Sequence, residues 1–310
     1  MGRTHFLPAD RVHYAWNNRL PPALEVESGD TVVFDLREVT DNQITPASTA
    51  DDLTRLDWSR IYPLGGPVAV KGARPGDTLE VEILDLHPKG WGWTGVIPGF
   101  GLLEEEFTRP YLRIWDLSAG DHTTLEENIR IPLEPFCGTM GVAPAEPGEI
   151  PVMPPGRFGG NMDIRHLTRG TRLLLPVQVE GALFSCGDCH AAQGDGEVCV
   201  TGIEAPMHVA LRLWLRQGQS IPEPQFITPG PLTARYDQKG YYATTGIAPD
   251  LLEAARKAVR HMIGYLTQTY HLTPEDAYVL CSVAVDLKIS EVVDKPNWIV
   301  TAYAPLSMFG

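Results

Sequence analysis

Residues 68–86, VAVKGARPGDTLEVEILDL, contain two apolar runs separated by a Gly-Asp-Thr turn. Apolar side chains at every second position are typical of a strand that buries one face. The alternation of Leu79, Val81 and Ile83 slips by one residue at Leu84, which predicts a β-bulge. The stretch therefore predicts two strands joined by a tight turn.

Two other stretches repeat this strand–turn–strand pattern: residues 24–39, LEVESGDTVVFDLREV, and more weakly residues 167–184, LTRGTRLLLPVQVEGALF. Residues 198–216 alternate in the same way. Chance recurrence of Gly-Asp turns explains the three copies as well as an internal duplication does, so both interpretations stay open. Antiparallel strands with short turns predict a β-sandwich or barrel-like sheets.

Helical spacing is clear only late in the chain. One helix is predicted from Pro249-Asp250 to about Tyr270. A second begins after Thr273, a good N-cap, with Pro274 at the first helical position, and runs to about residue 286. The sequence thus predicts a β-rich α+β fold in which a late helical pair covers a sheet face or a subunit interface.

The length of 310 residues suggests two domains. We expect an N-terminal β-sandwich domain with long Gly/Pro-rich loops over residues 1–160. A C-terminal β-rich α+β domain then follows over residues 161–310. Residues 88–160 hold so many Gly and Pro residues that regular helix and central strand are excluded, and long ordered loops are expected there.

The formal charge of −14 argues against nucleic acid and against an anionic membrane surface as partners. No apolar run approaches the ~20 residues of a membrane span, and no signal peptide is visible, so we expect a cytoplasmic protein. The five cysteines are then reduced thiols. The Cys186–Cys189 pair is more typical of buried thiols than of a redox or zinc motif.

The densest polar cluster lies at residues 185–197, SCGDCHAAQGDGE, between two strand-like runs, and is predicted to be a loop or short helical turn. Asp188 and His190 offer one oxygen and one nitrogen ligand, a combination that suits zinc. Glu197 is a further ligand or a proton shuttle. The alternative is a β-loop whose acidic side chains are solvated.

Two other clusters could join this one in space. Residues 35–49 offer Glu38 and Gln43, and residues 159–163, GGNMD, offer an Asn and an Asp beside two glycines. For each cluster taken alone, ordinary turn structure is the favoured interpretation. No serine nucleophile elbow or phosphate-binding loop is present, which leaves metal-activated water as the most economical hydrolytic nucleophile.

The stretch 176–204, PVQVEGALFSCGDCHAAQGDGEVCVTGIE, closely resembles the acetamidase/formamidase family. Shorter matches follow in order along the chain, at residues 66–86, 98–103, 159–163 and 286–297. The pattern Gly-Asp-x-His-Ala-x-x-Gly-Asp-Gly-Glu at residues 187–197 is long and specific. The chain is identified as a member of this family, whose relatives include enzymes that act on γ-lactams.

The resemblance implies hydrolysis of formamide, acetamide or a cyclic amide, with zinc and in some relatives calcium. Asp188, His190, Asp195 and Glu197 stand at the positions of the family's motif. Glu38 with Gln43 matches an acidic-then-Gln pattern, and Tyr62 stands where some relatives have Asn or His.

We therefore predict a metal-dependent amidohydrolase that forms a homo-oligomer. The predicted metal ligands are Asp188, His190 and, more weakly, Glu38; the catalytic residues are Glu197, Asp195 and Asn161; the substrate-binding residues are Gly159, Gly160 and Gln43. Some of the loop aromatics are predicted to wall a small, dry pocket that favours formamide or acetamide over longer amides: Trp91, Trp93, Phe100 and Phe158. The alternatives are a non-catalytic β-sandwich module that binds a small ligand or structural metal, and an enzyme with Cys189 as nucleophile.

Overall fold

A computed structural model describes residues 2–232, 235, 236 and 238–310. Within these residues it contains nineteen strands and two α-helices. In chain order they are β1 (Thr4–Leu7), β2 (Val12–His13), β3 (Leu24–Val26), β4 (Thr31–Leu36), β5 (Leu64–Val70), β6 (Thr78–Pro88), β7 (Trp91–Val96), β8 (Tyr111–Asp116), β9 (His122–Glu126), β10 (Ile129–Pro132), β11 (Phe136–Gly141), β12 (Gly159–Asn161), β13 (Arg172–Pro176), β14 (Phe184–His190), β15 (Met207–Arg216), β16 (Gln225–Ile227), β17 (Tyr241–Ala248), α1 (Leu251–Tyr270), α2 (Pro274–Ala284), β18 (Asp286–Glu291) and β19 (Trp298–Pro305). None of the described helices has the length and apolar character to span a membrane.

Two six-stranded sheets form a β-sandwich. The first has the order β1-β4-β15-β6-β13-β16, and the second has the order β12-β11-β14-β5-β2 with β3 paired to β5. Each strand–turn–strand unit crosses from one sheet to the other, because β3 and β5 belong to the second sheet while β4 and β6 belong to the first. The rings of Phe34 and Phe184 meet in the shared core, with centroids 6.2 Å apart.

The predicted bulge is confirmed. In the pairing of β15 with β6, Ala210 lies opposite Asp85 and Leu211 opposite Ile83, so Leu84 is the extra residue. The extra residue restores the inward direction of Leu86, which is buried in the sandwich core.

The helical pair is confirmed as well. Asp250 caps α1 by accepting a hydrogen bond from the Glu253 amide, and Thr273 caps α2 through the Asp276 amide. Helix α1 packs on β17 and β19 of a three-stranded sheet with the order β17-β19-β18. This helical unit shares a second apolar core with β8, β9 and β10, so the β-rich α+β fold class is confirmed.

Two expectations differ from the structure. Both six-stranded sheets draw strands from both sides of residue 160, so the predicted domain boundary would cut through each sheet. Residues 88–160 also hold strands β7 to β11 and the start of β12, and β11 lies inside the second sheet. One of the two glycines in β11, Gly138, faces two carboxylates that leave no room for a side chain there.

A buried ion pair joins the sandwich to the helical unit. Arg165, which follows β12, donates to the Asp286 carboxylate at the start of β18, and both residues are buried. The guanidinium also lies 4.8 Å from the ring centre of Tyr236 and 3.4 Å from Glu134. Removing one partner of a buried pair leaves the other charge uncompensated.

We expect Arg165→Met to lower the free energy of unfolding by about 3–5 kcal/mol, measured by urea denaturation, because Asp286 is left buried and unpaired. The double variant Arg165→Met/Asp286→Leu should lose less than the sum of the two single variants. Strictly additive losses would show that the pair is not coupled.

Candidate metal centre

Asp188 and His190 lie on strand β14, not on a loop. Of the polar cluster at residues 185–197, residues 185–190 belong to β14, whose backbone pairs with β11 on one side and with β5 on the other. The loop begins only after His190. Residues two apart on a strand point to the same face, so the spacing of Asp188 and His190 brings both side chains to one side of the sheet.

A third side chain arrives through non-local pairing. The backbone of Glu204 forms a bridge with His190, and the neighbouring Ala205 amide donates to the Cys189 carbonyl at 2.8 Å. Glu204 Oε1 accepts from the Gly202 amide at 2.9 Å and lies 3.1 Å from His190 Nε2. Gly202 packs on the imidazole so closely that a Cβ there would lie 2.8 Å from Nδ1.

The imidazole of His190 is held in one tautomer. Its Nδ1 lies 2.7 Å from Gln193 Oε1, and the Gln193 Nε2 group donates to the Asp163 carbonyl at 2.8 Å. Since an amide oxygen only accepts, Nδ1 carries the proton in the neutral ring. The lone pair on Nε2 then faces the carboxylates, at 3.4 Å from Asp188 Oδ1 and 3.8 Å from Glu197 Oε1.

Two overlapping groups of possible ligands share His190: Asp188 with Glu204, and Asp163 with Glu197. Burial, together with the charge of Asp188, raises the pKa of Asp163 to about 7. Burial also raises the pKa of Glu204, to about 8. Burial opposes a charge on His190, but the charges of Glu204 and Asp188 outweigh it and raise the pKa of this histidine. The centre therefore has an excess of buried negative charge.

Three observations fit a divalent cation at this centre. His190 Nε2, Glu204 Oε2 and Asp163 Oδ1 are buried without a hydrogen-bond partner among the described residues. A Cβ at Gly138 would collide with Asp163 Oδ1 and Asp188 Oδ2, so the glycine keeps open the space between them. One imidazole nitrogen with carboxylate oxygens is a donor set that zinc accepts.

The carboxylates form one end of a cavity of about 200 Å³. Five of the ten non-glycine residues with positive φ in the described chain line it: Tyr62, Asp163, Asp188, Glu197 and Val200. A positive φ is strained for a β-branched residue such as Val200, whose φ is 79°. Such strain concentrates at functional sites, where the surrounding structure compensates for it.

Glu38, predicted as a third ligand, lies outside both ligand groups. Its carboxylate is fully occupied: it accepts from the amides of Thr40 and Asn42, from the Thr40 hydroxyl and from Trp93 Nε1. Glu38 therefore orients the cavity wall, since Thr40 and Trp93 both line it. The carboxylate nearest to His190 Nε2 is that of Glu204.

Four other predicted site residues lie outside the cavity. Asp195 turns toward the Arg165–Asp286 pair, and its amide donates to Asp286 Oδ1 at 3.1 Å. Gln43 is bonded to the backbone of Asp57. Gly159 and Gly160 are buried in the β12–β11 ladder, so their amides do not reach a ligand.

Asn161 does line the cavity. It accepts from the Thr139 hydroxyl at 2.7 Å and donates to Asp163 Oδ2 at 2.8 Å. Glu197 lines the cavity as well, and its carboxylate lies farther from His190 Nε2 than those of Glu204 and Asp188. The structure thus brings together four of the residues predicted for metal binding and catalysis: Asp188, His190, Glu197 and Asn161.

The predicted aromatic wall is only partly present. Trp93 and Phe100 line the cavity, as does Tyr62. Trp91 packs in a neighbouring apolar cluster, and Phe158 packs against Trp16 with the two rings tilted by 59°. All five cysteines are free and buried, as expected. Cys189 faces the sandwich core and not the cavity, which removes it as a nucleophile.

Sequence reasoning missed Glu204 and Asp163 as possible metal ligands, and it missed Gln193 as the partner of His190 Nδ1. Each lies inside a segment that carries the family resemblance, but no short spacing links Glu204 or Asp163 to His190. Gln193 lies three residues beyond His190 and could have been noticed as a partner for its ring nitrogen.

Comparisons with known proteins agree along the whole chain. The family model described as the Acetamidase/Formamidase family matches residues 4–151 and 148–310. An acetamidase from Mycolicibacterium smegmatis is 28% identical over 86% of this chain and 84% of that protein. A formamidase from Methylophilus methylotrophus is 28% identical over 96% of this chain and 89% of that protein.

Solved structures share the fold. A gamma lactamase from Delftia acidovorans superposes with a TM-score of 0.91 at 28% identity, covering 98% of this chain and 93% of that chain. An acetamidase from Bacillus halodurans superposes with a TM-score of 0.69 at 33% identity, and the match covers 97% of each chain.

We expect Gly138→Ala to weaken zinc binding by roughly 10- to 100-fold, because the new methyl group displaces the Asp163 and Asp188 carboxylates. Competition with a fluorescent chelator measures the affinity. Gly264→Ala in α1 is the matched control, since a Cβ there meets no atom within 4 Å. Equal affinity in both variants would contradict the assigned site.

Proposed function

We infer that this chain, which belongs to the acetamidase/formamidase family, requires a divalent cation, assigned as zinc, for the amide hydrolysis it carries out. Its relatives are named acetamidase, formamidase and gamma lactamase. The observation that carries the metal requirement is the buried, unpartnered Nε2 of His190 beside Asp188 and Glu204. The products are a carboxylic acid and ammonia.

Asp188, His190 and Glu204 would hold the cation. When bound, it acts as a Lewis acid toward the amide carbonyl and makes water a stronger nucleophile near neutral pH. Gln193 keeps the proton on Nδ1 of His190, so that Nε2 stays available as a ligand atom. Gly202 fixes both the ring and the Glu204 carboxylate.

Glu197 is proposed to transfer the proton. Its Oε1 lies 3.8 Å from His190 Nε2, farther than the carboxylates of Glu204 and Asp188, and its side chain faces the cavity. Asp163 lies within hydrogen-bonding range of Glu197 when one of the two is protonated. A carboxylate in this position accepts a proton from the attacking water and delivers it to the leaving nitrogen.

Tyr62 is proposed to donate to the carbonyl oxygen as charge develops on it. Its hydroxyl has no hydrogen-bond partner among the described residues, and burial raises the pKa of Tyr62, so the hydroxyl keeps its proton. The other hydroxyls of the wall are occupied, because Thr40 donates to Glu38 and Thr201 donates to the Gly95 carbonyl. Asn161 is the second available donor.

Removing the metal should abolish ammonia release from acetamide, and added zinc should restore it, with an unchanged far-UV circular dichroism spectrum. This result supports a catalytic cation. A metal-free protein with full activity would contradict the proposal, and loss of the folded spectrum on chelation would favour the alternative of a structural metal.

Two matched substitutions separate the roles of the carboxylates. We expect Glu204→Gln to lower the zinc stoichiometry, since it removes the ligand oxygen nearest to Nε2. Glu197→Gln should keep the stoichiometry but lower kcat by about 10²–10⁴-fold, because an amide cannot accept the proton. Elemental analysis and ammonia release on the same preparations give both values.

If Glu197→Gln loses the metal, Glu197 is a ligand and not the proton carrier. If it keeps both the metal and a near-normal kcat, it has neither role.

A further inference from the structure

The cavity has two chemically different ends. The carboxylates and Tyr62 form the polar end, where the amide group would react. The rest of the lining is largely apolar and includes Leu56, Trp58, Ile61, Ile97, Phe100 and Met153. An amide held at the polar end therefore directs its substituent toward the apolar wall.

This apolar wall continues to the protein surface. Trp58 is 48% exposed and Met153 is 39% exposed. The Trp58 ring stacks on Phe100, with centroids 5.1 Å apart and planes 16° from parallel. Grouped apolar side chains at the rim of a cavity mark a surface that a ligand covers. A stacked aromatic pair presents a flat surface that fits an aromatic ring or an extended alkyl chain.

The wall offers little to a charged or polar substituent. No lysine or arginine lies among the described residues that line the cavity. The hydroxyls of Thr40 and Thr201 already donate to protein acceptors. An anionic substituent would lie against the apolar wall without a cationic partner, and a polar one would lose its water without replacement.

The size of the cavity also favours a substituent larger than that of acetamide. Its volume of about 200 Å³ is roughly seven times the ~30 Å³ that one water occupies in the liquid. Formamide and acetamide fit but fill only a part of it, so most of the apolar wall would stay uncovered during their hydrolysis.

We propose that the preferred substrate is a primary amide with an uncharged, apolar substituent of about four or more carbon atoms. At ~30 Å³ per group the cavity holds about seven groups, three of which belong to the amide itself, and a longer substituent extends along the Trp58–Phe100 pair at the rim. This preference differs from the sequence-based expectation of a pocket that favours formamide or acetamide. The inference rests on the proposed function, amide hydrolysis at the carboxylate end. The reaction is unchanged: the oxygen of water bonds to the carbonyl carbon, the C–N bond breaks, and the nitrogen takes a proton and leaves as ammonia. The apolar wall stabilises the bound substituent and thereby sets the specificity.

The test compares kcat/KM for four amides on the zinc-loaded full chain: acetamide, hexanamide, phenylacetamide and adipamic acid. Hexanamide and phenylacetamide should exceed acetamide by at least roughly tenfold, because a single methylene in an apolar pocket already discriminates by about that factor or more. Adipamic acid, which matches hexanamide in length but carries a carboxylate, should be hydrolysed more slowly than hexanamide.

Two variants locate the effect. Trp58→Ala should lower kcat/KM for phenylacetamide about tenfold more than for acetamide. Trp214→Ala removes a similarly exposed tryptophan from β15, outside the cavity, and should change neither value.

The outcomes separate the two proposals. If acetamide is hydrolysed as efficiently as the longer amides, or adipamic acid as efficiently as hexanamide, the substrate inference fails while amide hydrolysis stands. If none of the four amides releases ammonia, the proposed function itself fails.

Discussion

Burial of four carboxylates around one imidazole is the constraint on which the rest of the site depends. Asp163, Asp188, Glu197 and Glu204 surround His190 in a place where unpaired charge is costly. The raised pKa values of Asp163, Glu197 and Glu204 express that cost. A divalent cation would offset it, and the space left open by Gly138 could hold one. The cluster of buried carboxylates around His190 is thus suited to bind a metal and to move a proton.

The fold supplies these groups from separate segments and then fixes them. Strand β14 carries Asp188 and His190 inside the second sheet, and Glu204 reaches them by pairing its backbone with the end of that strand. The loop with Glu197 is held by the helical unit: the Gly194 amide donates to the Ser282 carbonyl at 2.8 Å, and the Leu287 amide donates to the Asp195 carbonyl at 2.9 Å. The helices therefore support the site without contributing a ligand.

Local patterns in the sequence predicted local features well. The slip at Leu84 predicted the bulge, and the spacing of Asp188 and His190 predicted the start of the site. Helical spacing predicted the first helix, and the N-cap Thr273 predicted the second. The predictions that failed depended on contacts between residues that are far apart in the sequence. No spacing reveals that Glu204 pairs with His190, or that Trp93 and Thr40 occupy the oxygens of Glu38. Glycine was taken as evidence against strands, whereas in β11 it makes room for carboxylates.

The most direct measurement is an anomalous-difference map at the zinc absorption edge, from crystals of the zinc-loaded protein. The account predicts one peak about 2.0–2.2 Å from His190 Nε2 and from oxygens of Asp188 and Glu204. A zinc-loaded crystal with no peak among these three residues, or with a peak bound elsewhere, would contradict it.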